Sequence, residues 1–243
     1  MFPVLFHIGP VPLYSYGLML AIAVLTASAL MSREALKIGI AKDVIYDLVF
    51  WVVLCGIVGA RIFYIFLNGH YFYGHPLEMV MLQKGGLAWQ GALFAGFLSG
   101  IVYINQKRLP LGKVLDLSAP YIALGQAIGR IGCLLNGCCY GRHADWGLYF
   151  PVWGERLIPT QLFMSLDQAA IFIVLRLLAP RSKKDGQVFV WYLMLAAMER
   201  FVIEFFRADH DILPGGLSIF QYVCVALFLT AIWLNLWLSK RSQ

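Results

Sequence analysis

Residues 45–67 read IYDLVFWVVLCGIVGARIFYIFL, and this stretch decides the fold. No charged side chain stands between Asp47 and Arg61. A soluble helix of this length would carry a polar stripe along one side. About 20 mostly apolar residues are what a helix needs to cross a bilayer. The stretch therefore reads as a membrane span with one cation, Arg61, in its second half.

The same pattern recurs outward from it, near 13–32, 87–105, 115–135, 160–179, 186–206 and 217–238. Three of the seven spans are less clean, since they hold Arg61, Arg130, and the trio Glu199, Arg200 and Glu204. The whole chain of 243 residues fits this reading. It is 60% hydrophobic and 13% charged, with a mean hydropathy of +0.74. Ordinary soluble domains are roughly 45–50% apolar and about 25% charged. Disordered, collagen-like and nucleic-acid-binding chains are excluded, and a soluble enzyme is disfavoured. The first span has no basic residue before it and no small-residue cleavage site after it, so it is expected to stay on the chain.

Loop charges give an orientation. Arg33, Lys37, Lys42, Lys107, Arg108, Lys113, Arg181, Lys183, Lys184, Lys240 and Arg241 fall on one side. Lys84, Arg142, Arg156 and Arg207 fall on the other. The expected fold is an all-α integral membrane protein of seven transmembrane helices, with a periplasmic N-terminus and a cytoplasmic C-terminus. It forms a single domain over residues 1–243, with the outer connection 136–159 as a small periplasmic head. Most of the formal charge of +6 is then a topology signal. Glycine pairs at four-residue spacing (Gly96 and Gly100, Gly125 and Gly129) fit close helix contact.

With this topology, Arg61, Arg130, Arg200 and Glu204 lie toward the outer face. So do Tyr16, Gln90, Thr160, Gln161, Ser218 and Gln221 at the outer ends of the other spans. An arginine at a helix centre costs about 2.5–3.5 kcal/mol on insertion scales. Two readings follow: structural ties to Glu199 and Glu204, or an anion site open to lipid. Guanidinium forks grip phosphate in a bidentate way, and the abundant anion at that depth is a phospholipid headgroup. There is no G-x-S-x-G, H-E-x-x-H or paired C-x-x-C, so a serine lipase and a metal site are both set aside.

These residues carry a pattern that resembles the bacterial prolipoprotein diacylglyceryl transferases along nearly the whole chain. It runs from Ile8-Gly9-Pro10 and Tyr16-Gly17-Leu18-Met19 through Gly59-Ala60-Arg61-Ile62 and Gly85-Gly86-Leu87-Ala88-Trp89-Gln90-Gly91. Asp116, Ala119-Pro120, Gly129-Arg130-Ile131-Gly132, Asn136-Gly137 and Gly141 follow. Pro159-Thr160-Gln161-Leu162, Arg200, Glu204-Phe205-Phe206-Arg207, Ser218 and Gln221 close it. The resemblance implies transfer of a diacylglyceryl group from phosphatidylglycerol to the lipobox cysteine of a prolipoprotein signal peptide. It implies release of glycerol phosphate, no cofactor, no metal, and action at the outer face of the bacterial cytoplasmic (inner) membrane. It implies that Arg130 and Arg200 hold the phosphate and that Glu204 orients Arg200 and Arg61. Tyr16 would line the cleft, and Gly141 would let the backbone approach the headgroup. Asn136, Gln161 and Arg207 would be further substrate-binding positions.

The departures fall on proton-handling groups. Gln90 stands where the family usually has a histidine, and Gln cannot act as a base; its expected role is to hydrogen-bond substrate. Cys133 and Cys138 replace the usual Asn and Glu of the family signature. Three readings stay open: the transferase with this or another acceptor, a lipid-binding or lipid-moving protein that kept the arginine cleft, and a thiol-redox protein. Cys138 and Cys139 are either small residues shaping a tight loop or candidate reactive thiols, whose thiolate form a nearby Arg130 or Arg142 would favour. Cys133 reads as packed within a helix, and Cys55 and Cys224 as packing.

Overall fold

The computed structural model describes residues 1–9, 11–81, 85–208, 213 and 215–240. Pro10, Lys84 and Arg241, used in the sequence reading, lie outside the described residues. The chain forms two compact units, one from Met1–Met31 with Leu115–Gln243 and one from Ser32–Val114.

The second unit is built on α2 (Lys42–Leu67) and α4 (Trp89–Gln106), joined through the short α3 (Gly69–Gly74) and a 3-10 turn, Pro76–Val80. The decisive stretch of sequence thus falls on one unbroken helix of 26 residues. At 1.5 Å per residue it is about 39 Å long, more than the roughly 30 Å hydrocarbon layer. Glycines set how closely α2 and α4 approach. A Cβ on Gly59 would stand 2.7 Å from the Gly91 carbonyl oxygen, and one on Gly91 would meet the Phe63 Cβ at 2.5 Å. Further along, Gly96 and Gly100 both face Val52 at 3.3 Å, so that glycine pair does serve packing. Tyr103 donates to Asp47 across the same pair of helices, at 3.3 Å.

The first unit holds most of α1 (Ser15–Ala35) and of α5 (Leu111–Asn136), with α6 (Thr160–Leu178), α7 (Gln187–Glu204) and α8 (Ile219–Lys240). Its buried core joins Ala119 and Ala123 of α5, Ile171 and Leu175 of α6, and Val188 and Tyr192 of α7. Asp116 ties α5 to α7: its carboxylate accepts from the Gly186 and Phe189 amides at 2.8 and 2.9 Å. Those amides begin α7 and have no partner within the helix, so the carboxylate acts as a cap, worth about 1 kcal/mol. Ser165 of α6 donates to the Ala127 carbonyl at 2.8 Å. The pair Gly125 and Gly129 is not a close contact as expected. A Cβ on Gly125 would meet only Ala27, at 3.9 Å, and one on Gly129 would meet nothing within 4 Å.

The all-α expectation needs correction, for two antiparallel hairpins flank the helices. β1 (Val4–Ile8) pairs with β2 (Val11–Tyr14), and β3 (His143–Phe150) pairs with β4 (Glu155–Leu157). The second hairpin lies within the expected 136–159 head. It folds back on the end of α5: Phe150 is fully buried, Tyr140 packs on the Trp153 ring at 5.0 Å, and Trp153 Nε1 donates to the Gly137 carbonyl at 3.0 Å.

The chain is mostly helical, and its helices turn large apolar side chains outward. Phe66 is 80% exposed, Phe94 73% and Trp233 61%. Faces of this kind suit lipid rather than water. Among the described residues, four helical stretches are long and apolar enough to cross a membrane: Ser15–Ile38, Lys42–Leu67, Thr160–Arg181 and Ile219–Lys240. α5 and α7, outside that set, carry Arg130 and the Glu199–Arg200–Glu204 cluster.

Candidate active site

Two charged arrangements emerge, one in each unit. In the second unit Arg61 is buried, with 7% of its surface exposed. Its five N–H donors meet five backbone carbonyls. Nε donates to Met79 at 2.9 Å, and Nη1 donates to Gly85 and Gly86 at 2.6 and 2.9 Å. Nη2 donates to Met81 at 3.3 Å and to Glu78. Arginine has five donors and no acceptor, so this side chain is fully committed to the carbonyls of residues 78, 79, 81, 85 and 86. The resemblance implied that Glu204 would orient Arg61; those carbonyls do so instead. Gln90 lies in the first turn of α4 in this unit and is exposed.

In the first unit, α7 presents Arg200 and Glu204 one turn apart, and Arg200 Nη2 reaches Glu204 Oε2 at 2.8 Å. The other Glu204 oxygen accepts from Ser218 Oγ at 3.0 Å. Ser218 is fixed in turn by Gln221, whose side-chain oxygen accepts the Ser218 amide at 2.9 Å. Glu204, Ser218 and Gln221 are all buried. The result is a rigid support behind a half-buried guanidinium, whose face also covers the Phe220 ring at 5.4 Å. Arg200 feels the positive charges of Arg207 and Arg130 as well. Three arginines are thus within range of one another, against two carboxylates, Glu204 and Glu199, the latter an electrostatic neighbour of Arg130 and Arg200; a further anion would ease their mutual repulsion.

Beside this cluster runs the Gly-Cys-Cys-Tyr-Gly loop, 137–141, just past the end of α5. Side chains from the start of α6 pin its backbone. Thr160 Oγ1 donates to the Cys139 carbonyl at 2.7 Å, and Gln161 Nε2 to the Cys138 carbonyl at 2.6 Å. Cys139 holds φ at +62°. That left-handed conformation costs a side-chain-bearing residue about 1–2 kcal/mol, so these two bonds hold a strained position. Gly141 donates its amide to Ile158 at 2.9 Å and pairs with Arg207 as an isolated bridge. A Cβ there would stand 2.5 Å from the Phe206 carbonyl oxygen, so any larger residue would push the loop off the end of α7.

The sulfurs of Cys133, Cys138 and Cys139 lie within 4.8 Å of one another. The Asn136 side chain is a polar neighbour of the Cys138 sulfur. Hydrogen bonds from the Cys133 and Cys138 thiols, and then the Arg130 and Arg207 charges, hold the Cys139 thiol well below the usual range despite burial. Tyr16, on the first turn of α1, is an electrostatic neighbour of all three cysteines and of Arg130. α1 reaches this close because α5 has Gly132 there, whose Cβ would stand 3.4 Å from the Tyr16 Cα.

The model of the prolipoprotein diacylglyceryl transferase family matches residues 3–237. The chain belongs to that family. It is similar to the phosphatidylglycerol--prolipoprotein diacylglyceryl transferase of Geobacillus kaustophilus, with 34% identity over 99% of this chain and 93% of that protein. The proteins of the same name from Bacillus cytotoxicus and Geobacter sulfurreducens are 34% and 31% identical. They cover 93% and 99% of this chain and 88% and 96% of their own lengths.

Of the residues singled out in the sequence, Arg130, Arg200, Glu204, Arg207, Tyr16, Asn136, Gly141, Gln161, Cys138 and Cys139 gather in the first unit. Arg61 and Gln90 belong to the second. Cys133 was missed, having been read as helix packing. Its signal was the C-x4-C-C spacing across a helix end. Five residues are about 1.4 helical turns, which is enough to bring the chain back over its own last turn.

Proposed function

We propose that this protein transfers the diacylglyceryl group of phosphatidylglycerol to the thiol of a prolipoprotein lipobox cysteine. Seven helices, α1, α2 and α4 to α8, cross the bacterial cytoplasmic membrane, and the reaction runs at its outer face. The observation that carries this reading is the convergence of Arg130, Arg200 and Arg207 on one patch, with Arg200 fixed from behind by Glu204 and Ser218.

The phosphodiester of the lipid sits among these guanidiniums. The acceptor sulfur attacks the glyceryl carbon next to the phosphate oxygen. A sulfur–carbon bond forms, the carbon–oxygen bond breaks, its electron pair leaves on glycerol phosphate, and the thiol proton passes to solvent. Charge accumulates on that departing phosphate, where preorganised donors have their largest effect. Glu204 positions Arg200 and touches no substrate. Tyr16 lines the lipid cleft, while Asn136 and Gln161 shape the loop that faces it. Arg61 organises the backbone of residues 78, 79, 81, 85 and 86, and Gln90, exposed at the start of α4, contributes a hydrogen bond to substrate.

The test is incubation of the purified protein with labelled phosphatidylglycerol and a lipobox peptide. Glycerol phosphate release and a peptide mass gain of one diacylglyceryl group are expected. Gln90 in place of a base favours one competing reading, a lipid-binding protein without transfer. Phosphatidylglycerol recovered bound and intact after long incubation would establish that reading instead.

A further inference from the structure

We infer that Cys133, Cys138 and Cys139 form a zinc(II) site whose open fourth position takes the acceptor thiol. The inference rests on the transferase reading for the identity of that thiol, and on the geometry for the site itself. Three cysteines from a helix end and a pinned loop present their sulfurs within 4.8 Å of one another. In a tetrahedral zinc thiolate the metal–sulfur distance is about 2.3 Å, which places sulfurs roughly 3.8 Å apart. A contraction of about 1 Å at most closes the three onto one ion. Cys133 is buried while Cys138 and Cys139 are half-buried, so one side of the cluster is open to an incoming ligand. Catalytic zinc sites have this form, with three protein ligands and one position left for water or substrate.

The charges also suit it. Zinc(II) with three thiolates carries a net charge of −1, and a fourth thiolate makes it −2. Arg130 and Arg207, both electrostatic neighbours of Cys139, offset that charge, and the same two side chains face the lipid phosphate. The site also supplies what Gln90 cannot. A thiol bound to zinc is deprotonated outright, so the acceptor loses its proton to solvent on coordination and needs no histidine. Its sulfur then forms the bond to the glyceryl carbon as glycerol phosphate departs with the electron pair of the broken bond. The thioether product is neutral and a weaker ligand than a thiolate, so it leaves the metal. Thr160 and Gln161 hold the Cys139 and Cys138 carbonyls, fixing two of the three ligands before any ion arrives. The metal-free expectation of the sequence reading rested on the family resemblance and on the lack of H-E-x-x-H and paired C-x-x-C motifs, patterns this site does not use.

Cobalt(II) provides a readout independent of turnover. The full chain in detergent, reduced so that all five thiols react with Ellman's reagent, is stripped of metal and titrated with cobalt(II). One equivalent should give thiolate-to-cobalt absorption and the visible bands of a tetrahedral ion. Cys133→Ser and Cys139→Ser should each lose this signal, whereas Cys55→Ser should match wild type. Adding a lipobox peptide should shift the bands, and its Cys→Ser version should not. Removing zinc should lower transfer about 100-fold, the scale of losing proton abstraction, and zinc should restore it. Absence of the thiolate–cobalt band in the fully reduced protein would overturn the site. So would a Cys133→Ser protein that binds cobalt like wild type. Transfer that runs at full rate without metal would overturn the acceptor role. Cobalt binding with a peptide-dependent shift but no transfer at any zinc concentration would uphold the thiol-binding site and remove the transferase reading.

Discussion

Arg61 and Arg200 are both arginines on long apolar helices, yet the molecule uses them in opposite ways. Arg61 is closed off: five donors, five backbone carbonyls and almost no exposed surface. Arg200 is half-buried, leans on one carboxylate, and lies within the fields of two further arginines. The first arrangement is complete without a ligand, whereas the second sets three guanidiniums against two carboxylates, Glu199 and Glu204, and leaves positive charge for an anion to meet. An embedded arginine therefore signals binding only when its neighbours leave charge unbalanced.

The sharpest way to break this contrast is Arg130→Ala. Loss of one preorganised charge contact to the departing phosphate should lower transfer about 10²–10³-fold. Helix content by circular dichroism should be unchanged, and full turnover would remove the arginine patch from the site. Gly141→Ala comes next. It forces the thiol loop off Phe206 and should cost about 10²-fold in kcat/KM, the scale of a 1 Å misplacement. Arg61→Ala should act on stability instead. Five carbonyls lose their donor, for a loss of about 2 kcal/mol or more, which is roughly 4–8 °C in melting temperature for a chain of this size. Transfer per folded molecule should stay near wild type. If the variant melted normally but lost turnover, Arg61 would belong with Arg200 and the contrast would collapse. Ser218→Ala removes one hydrogen bond to the Glu204 carboxylate and should cost about tenfold, with a larger change in kcat than in KM. The smallest effect should come from Gln90→Ala, about fivefold or less, as befits a neutral hydrogen bond.

What the sequence could reveal followed from the range of each signal. Ile45–Leu67 was read correctly because hydropathy is a property of consecutive residues. Arg130, Arg200 and Glu204 stood out because charge in an apolar run is costly wherever it points. The carbonyls around Arg61 were not legible, since backbone oxygens are the same in every sequence. The hairpins were missed because β1 has five residues and β4 three, too few to impose an alternation against long helical patterns. Cys133 was missed because its partners come together only once α5 has ended and the chain has turned back. The Gly125 and Gly129 spacing promised a helix contact that the fold does not make, since four-residue spacing places glycines on one face without supplying a neighbour.

The hairpin of β3 and β4 has a pharmacological consequence. Its 151–154 turn displays Val152 and Trp153, each about half exposed, while the Trp153 indole nitrogen is bonded to Gly137 at the start of the thiol loop. On the topology proposed above, an antibody fragment or macrocycle that drew Trp153 aside would tug on Gly137 and its loop without entering the bilayer or resembling a lipid. Inhibitors of this protein can therefore be sought among water-soluble binders of that turn, a class that lipid-mimicking screens never sample.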